Sequence, residues 1–280
     1  IVVSGGAPLI LNLVLKSQSS VSLGEVRFDQ KSGFETGELR DPTAGGGYSD
    51  SASLESARMA RQYSGQTVGK AAKNHGEEML ARGEYAQAAS WFLNTGRPRS
   101  ARDEMGLGIA YYGQSKYDAA VETLHKAAML APDDAAPRLL MAEAARFATS
   151  RQAMVADSLR GFTLAHPANA EGHYAYGMVL WAIFRAQRLQ SALALARTES
   201  ERAVALAPGN AAAHVQLGTI YDRMNMVSEA IAQYRQALKA NPDFSAAHYR
   251  LAQDLLRTGA KSEAQAQIQA YEKLEKDGGR

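Results

Sequence analysis

Between residues 211 and 244, apolar and small side chains recur at the spacing of two short helices. Leu217, Gly218 and Tyr221 share one face by i, i+3/i+4 spacing, and Ala230, Tyr234 and Ala237 share a face of the next segment. Gly218 and Ala230 are small enough for two helices to approach closely. Leu217, Tyr221 and Tyr234 are large enough to fill the space between them. Pro242 stops the second helix, because it lacks an N–H and clashes with the preceding turn. The same order and spacing occur over residues 101–134, as Leu107, Gly108, Tyr111, Tyr117, Ala120, Leu124, Ala127 and Pro132. Neither pair of helices hides its apolar stripe alone, so the pattern requires stacked neighbours.

Those neighbours are present. Residues 69–100 carry Gly76, Met79, Tyr85, Ala88 and Phe92, with Pro98 near the end. Residues 135–168 are degenerate: Ala142 and Ala145 fit the first helix, while Phe162 and Pro167 fit the second with one residue inserted. Residues 169–210 hold Tyr176, Gly177 and Leu180, but Pro208 comes late, and residues 184–198 either extend both helices or form a projecting loop. Residues 245–275 close the series with Leu251, Ala252, Leu255, Ala264 and Ile268. The pattern resembles the tetratricopeptide repeat (TPR), a helix–turn–helix unit of 34 residues. The resemblance implies an all-α fold, a TPR α-solenoid of about six repeats, preceded by a short β-rich N-terminal arm.

That arm spans residues 1–28. Leu9, Ile10, Leu11, Leu13, Val14 and Leu15 form a nearly continuous apolar run within residues 1–16, which predicts a strand buried on both faces. Residues 21–28 alternate as a second short strand. Residues 5–16 resemble the closing strand of a carboxypeptidase-regulatory-type β-sandwich, which implies an upstream module and an extracytoplasmic setting, with the cytoplasm as the alternative. Residues 29–68 read as a glycine-rich linker followed by a capping helix over 49–63, with Ser49 or Ser51 as N-cap and Leu54, Ala57 and Met59 inward. The array then occupies 69–275, and 276–280 is a charged tail. A start at Ile1 is expected of a processed or partly observed chain.

Composition narrows the chemistry. A formal net charge of +2, from 31 basic and 29 acidic residues, gives no electrostatic case for nucleic acid. There is no cysteine, hence no disulfide framework and no thiolate chemistry. None of the asparagines begins an N-glycosylation acceptor, and no apolar run reaches the length of a membrane helix. Zinc-protease, nucleophile-elbow, P-loop and dinucleotide-binding motifs are missing. Gly106, Gly108 and Gly113 fit repeat packing, and Asp133 and Asp134 fit an inter-repeat turn. The expectation is no enzyme, no catalytic residue, no metal and no cofactor.

His173, His214 and His248 occupy one repeat position, so they would form a row along neighbouring first helices. Such a row could bind a transition metal or respond to pH. However, adjacent helices stand about 10 Å apart, whereas ligands sharing one metal lie about 2 Å from it. The row therefore reads as inter-repeat packing and hydrogen bonding. His75, His125 and His166 have no evident partner in the sequence.

In the resembled family the first helices line a concave face that binds peptides. Carried onto this chain, the corresponding positions are Met105, Ile109 and Tyr112, then Leu139, Glu143 and Arg146, then Tyr174, Met178 and Trp181. Val215, Thr219 and Asp222 follow, and Tyr249 and Gln253 complete the set. The basic pattern that clamps acidic C-terminal peptides is replaced by apolar and aromatic groups. Three occupants of this face stay open: an apolar partner segment, the array's own helices, and the N-terminal arm. The resemblance implies a non-enzymatic interaction scaffold with a protein or peptide partner. The alternatives are a subunit that self-assembles through the run Leu9, Ile10, Leu11, Leu13, Val14 and Leu15, and an accessory subunit of an enzyme complex.

Overall fold

The computed structural model describes residues 75–278 and two short strands, β1 (Val2–Val3) and β2 (Leu9–Ile10). The strands pair antiparallel, with Val2 opposite Ile10 and Val3 opposite Leu9. The rest of the expected arm, the linker and the expected capping helix lie outside the described residues.

Twelve α-helices follow among the described residues, in six consecutive pairs. They are α1 (His75–Ala81) with α2 (Tyr85–Leu93), α3 (Ala101–Gly113) with α4 (Tyr117–Leu130), and α5 (Ala136–Ala145) with α6 (Gln152–Ala165). Next come α7 (Ala170–Gln187) with α8 (Gln190–Leu206), α9 (Ala211–Arg223) with α10 (Val227–Ala240), and α11 (Ser245–Arg257) with α12 (Lys261–Gly278). They belong to two compact units divided between Ile220 and Tyr221, within α9. In the fourth pair the extra residues lengthen both helices, with no projecting loop.

Five of the six turns inside these pairs share one geometry. Gly83, Ser115, Arg188, Asn225 and Gly259 each stand two residues before a second helix, and each has a left-handed φ between 59° and 83°. In four of them the next amide donates back five residues, from Glu84 to Met79, Lys116 to Tyr111, Met226 to Tyr221 and Ala260 to Leu255, each at 2.9 Å. This is the Schellman closure, which satisfies carbonyls left over at the end of the first helix. Only the third pair departs, with a 3₁₀ turn over Thr149–Arg151. A left-handed conformation costs a side-chain-bearing residue about 1 kcal/mol or more. Ser115→Gly is therefore expected to raise stability by up to about 1 kcal/mol, read as a later urea midpoint by circular dichroism. A lower midpoint would contradict this turn geometry.

Packing follows the pattern of small and large residues. Leu107 and Leu217, each the seventh residue of its helix, are buried in α3 and α9. Ala120 and Ala127 on α4, and Ala230 and Ala237 on α10, are fully covered. Gly108 sits against Leu124, and a Cβ at Gly106 would come 2.2 Å from the Phe92 ring. Alanine in place of a helical glycine normally gains about 0.5–1 kcal/mol. Gly106→Ala should instead cost about 1–3 kcal/mol, since Phe92 is fully buried. A melting temperature equal to or above that of the parent protein would refute this close approach.

Side-chain caps fix the helix entries. Ser100 accepts from the Asp103 amide at 3.2 Å while Asp103 accepts from the Ser100 amide at 2.8 Å, a capping box at the start of α3. Burial would raise the Asp103 carboxyl, but donors on Arg97 and Ser100 outweigh it and hold the group below its ordinary value. Asn169 and Asn210 accept from Gly172 and Ala213 three residues on, starting α7 and α9.

Candidate interaction face

The first-helix positions divide into two sets. Met105, Ile109, Tyr112, Met178 and Tyr249 are buried. The Tyr112 ring meets Tyr117 at 5.3 Å and Phe147 at 6.2 Å, and Tyr249 meets Tyr271 at 5.5 Å. All five are covered within the free chain, which favours the array's own helices among the occupants the sequence left open for these positions. Helices packed at ordinary spacing enclose a large aromatic whichever neighbour it was expected to meet. Leu139, Tyr174, Trp181 and Val215 are only half-buried, and Arg146 is exposed beside Glu143 at 2.9 Å. The four half-buried residues sit on three successive first helices, α5, α7 and α9, with Arg146 just past the end of α5, all within the unit ending at Ile220. Trp181 also leans on Phe184, ring centre to ring centre 5.5 Å. Of the expected strand residues, Leu9 and Ile10 form β2, whereas Leu11, Leu13, Val14 and Leu15 fall outside the described residues.

The α7–α9 packing behind this face rests on a polar tie. Gln216 on α9 donates to the Ser200 hydroxyl on α8 at 2.8 Å and to the Tyr174 carbonyl on α7 at 3.3 Å. A Cβ at Gly177 would lie 2.4 Å from the Gln216 amide nitrogen, so glycine makes room for the tie. Periodicity singles out neither Gln216 nor Ser200, because a polar residue on a helix face carries no apolar signal.

The histidine row has a recurrent role. In His173, His214 and His248, Nε2 donates to the carbonyl of the proline six residues earlier: Pro167 at 3.1 Å, Pro208 at 3.0 Å and Pro242 at 2.8 Å. Each bond fastens the end of one repeat to the first helix of the next. The Nδ1 partners differ: Glu199 at 2.6 Å for His173 and Gln267 at 2.7 Å for His248. The expected hydrogen-bonding role is what the geometry shows. Arg138 stands six residues after Pro132, at the place these histidines occupy. Among the described residues, no three metal-ligating side chains come together.

Residues 211–244 match the tetratricopeptide repeat family. The array is similar in fold to a thermophilic TPR protein of Thermus thermophilus, with 22% identity, 61% of this chain and 90% of that chain covered, and a TM-score of 0.52. It is also similar to a chain of the APC/C hetero-tetramer Cut9–Hcn1, at 16% identity and a TM-score of 0.55. That alignment covers 81% of this chain and 45% of the other. No curated protein matches the chain. The array therefore has the fold of tetratricopeptide-repeat α-solenoids, and residues 211–244 match that repeat itself. No described helix is long and apolar enough to cross a membrane.

Proposed function

We propose that the protein is a non-enzymatic scaffold for protein–protein interaction, and that a partner segment of apolar character docks on Leu139, Tyr174, Trp181 and Val215. The observation that carries this reading is the incomplete burial of these four side chains on consecutive first helices. Half-covered aromatic anchors gain most from being sealed by a partner. Arg146 and Glu143 supply a polar rim beside them. The similar chain of the APC/C assembly is part of a hetero-tetramer, and this too is a setting in which a repeat array meets other subunits. A photo-crosslinking amino acid at Trp181, in extract of the source organism, should give a discrete adduct. The same group at exposed Lys126 on α4 should not. Indistinguishable products at the two positions would rule this face out.

Self-association through the N-terminal strand is a second reading, favoured by β2. Leu9–Ile10 is extended, and its partner among the described residues is a strand of only two residues. Strand addition from another copy would continue such a ribbon. Deleting residues 1–20 should then reduce particle size in light scattering, and an unchanged size would dismiss it. An extracytoplasmic setting is proposed as well, supported by the β-sandwich resemblance of residues 5–16.

A further inference from the structure

Along α6, Ala153, Asp157, Arg160 and Leu164 follow one another at intervals of four, three and four residues, so they lie in one line on one side of the helix. All four are exposed, and Leu164, at 77%, is the most exposed large apolar side chain among the described residues. Asp157 and Arg160 stand 3.3 Å apart, with 74% and 64% of their side chains open to solvent. A pair so exposed is held only weakly, so either charge can exchange its partner for one on another molecule at little cost.

This line matches itself when reversed. Laid antiparallel on a copy of α6, it sets Leu164 over Ala153 and Asp157 opposite Arg160, and each match occurs twice. A two-fold contact requires that reciprocity, because residue i meets j while j meets i. Ala156 and Gly161 flank the line on its two sides and are small. A Cβ on Gly161 would meet nothing within 4 Å, so two helices have room to approach closely.

The neighbouring second helices lack the match. Counted back from the proline that closes each repeat, the same places on α4 hold Asp118, Glu122, His125 and Met129. On α8 they hold Ala194, Thr198, Glu201 and Ala205. Reversed on itself, the first series sets Asp118 against Met129, and the second sets Glu201 against uncharged Thr198. Self-complementarity in both size and charge therefore belongs to α6 and marks a second copy as its partner.

We propose that α6 is a homodimer contact, packing antiparallel on α6 of a second copy, with two Asp157–Arg160 pairs across the seam and each Leu164 covering an Ala153. The contact is independent of the first-helix face and of the N-terminal strand.

Sedimentation equilibrium of the whole chain tests it, and the parent protein should show a monomer–dimer equilibrium. Arg160→Asp and Asp157→Arg each place like charges across the seam, and each should weaken dimerisation about tenfold or more. Mixed in equal amounts, the two variants should recover the parent's association, because every acid again faces a base. The protein carrying both exchanges should likewise dimerise as the parent does. Melting temperatures near that of the parent show that the variants fold, as surface substitutions normally do. Association through the N-terminal strand would be indifferent to these charges, so the same variants separate the two contacts. The proposal is overturned if the parent sediments as a monomer, if either single variant dimerises as tightly as the parent, or if the mixture associates no better than its components.

Discussion

Replacing His173 by alanine is expected to cost about 3–5 kcal/mol, the loss typical of breaking one side of a buried pair. His173 is fully buried and Glu199 is 8% exposed, with Nδ1 and Oε2 2.6 Å apart. Both ring nitrogens face acceptors, Glu199 on one side and the Pro167 carbonyl on the other. Alanine would strand the Glu199 carboxylate between α7 and α8 and release the Pro167 carbonyl. His248 offers an internal comparison, since it is partly exposed and its Nδ1 partner is the neutral Gln267. His248→Ala should cost about 1 kcal/mol, near the net value of ordinary hydrogen bonds. Urea denaturation followed by circular dichroism measures both. Equal losses at the two positions would remove the special standing of the His173–Glu199 pair. Leucine at both His173 and Glu199 should recover most of the loss, because apolar replacement of an entire buried pair is often neutral.

This pair shows where sequence reading succeeds and where it stops. Spacing alone places the histidines in one row, because a repeat imposes the same environment at the same position. The helix pairs are legible for the same reason: Leu107 and Leu217, or Ala120 and Ala230, answer one packing requirement twice. Partners chosen by side-chain reach are not legible. Nothing in the spacing of Glu199 or Gln216 marks them as the groups that join α7, α8 and α9. The left-handed turns are only half visible, since Gly83, Asn225 and Gly259 suit that conformation but Ser115 and Arg188 do not. Fewer of the first-helix positions are open than the pattern implies. Repeat position assigns a residue to a helix face, but depth depends on the size of the facing side chains. Tyr112, enclosed by Tyr117 and Phe147, and half-open Trp181 therefore look alike in one dimension.

The unit beginning at Tyr221 should lose stability as pH rises through about 7. Asp254 on α11 is 2% exposed, and its Oδ2 lacks a hydrogen-bond partner. Burial, then repulsion from Asp222, push its carboxyl up from 3.8 to about 7, and Arg257 offsets only part of this. Arg257 donates to Asp254 at 2.8 Å and also to Asp222 and Asn225, so one guanidinium serves two carboxylates. Between about pH 4 and 7 the folded unit retains a proton that the unfolded chain gives up. Stability from this group is therefore full below the unfolded value and declines as pH rises through the folded one. At about 1.4 kcal/mol per unit the whole shift corresponds to about 4 kcal/mol. The close coupling of Asp254 to its charged neighbours and the partial exposure of Arg257 reduce the expected change to about 2 kcal/mol. Urea midpoints at pH 5, 6, 7 and 8 measure this directly. Asp254→Asn keeps the shape, carries no charge and should flatten the decline. Parallel pH curves for the two proteins would show that Asp254 is ionised in the fold and that Arg257 neutralises both acids.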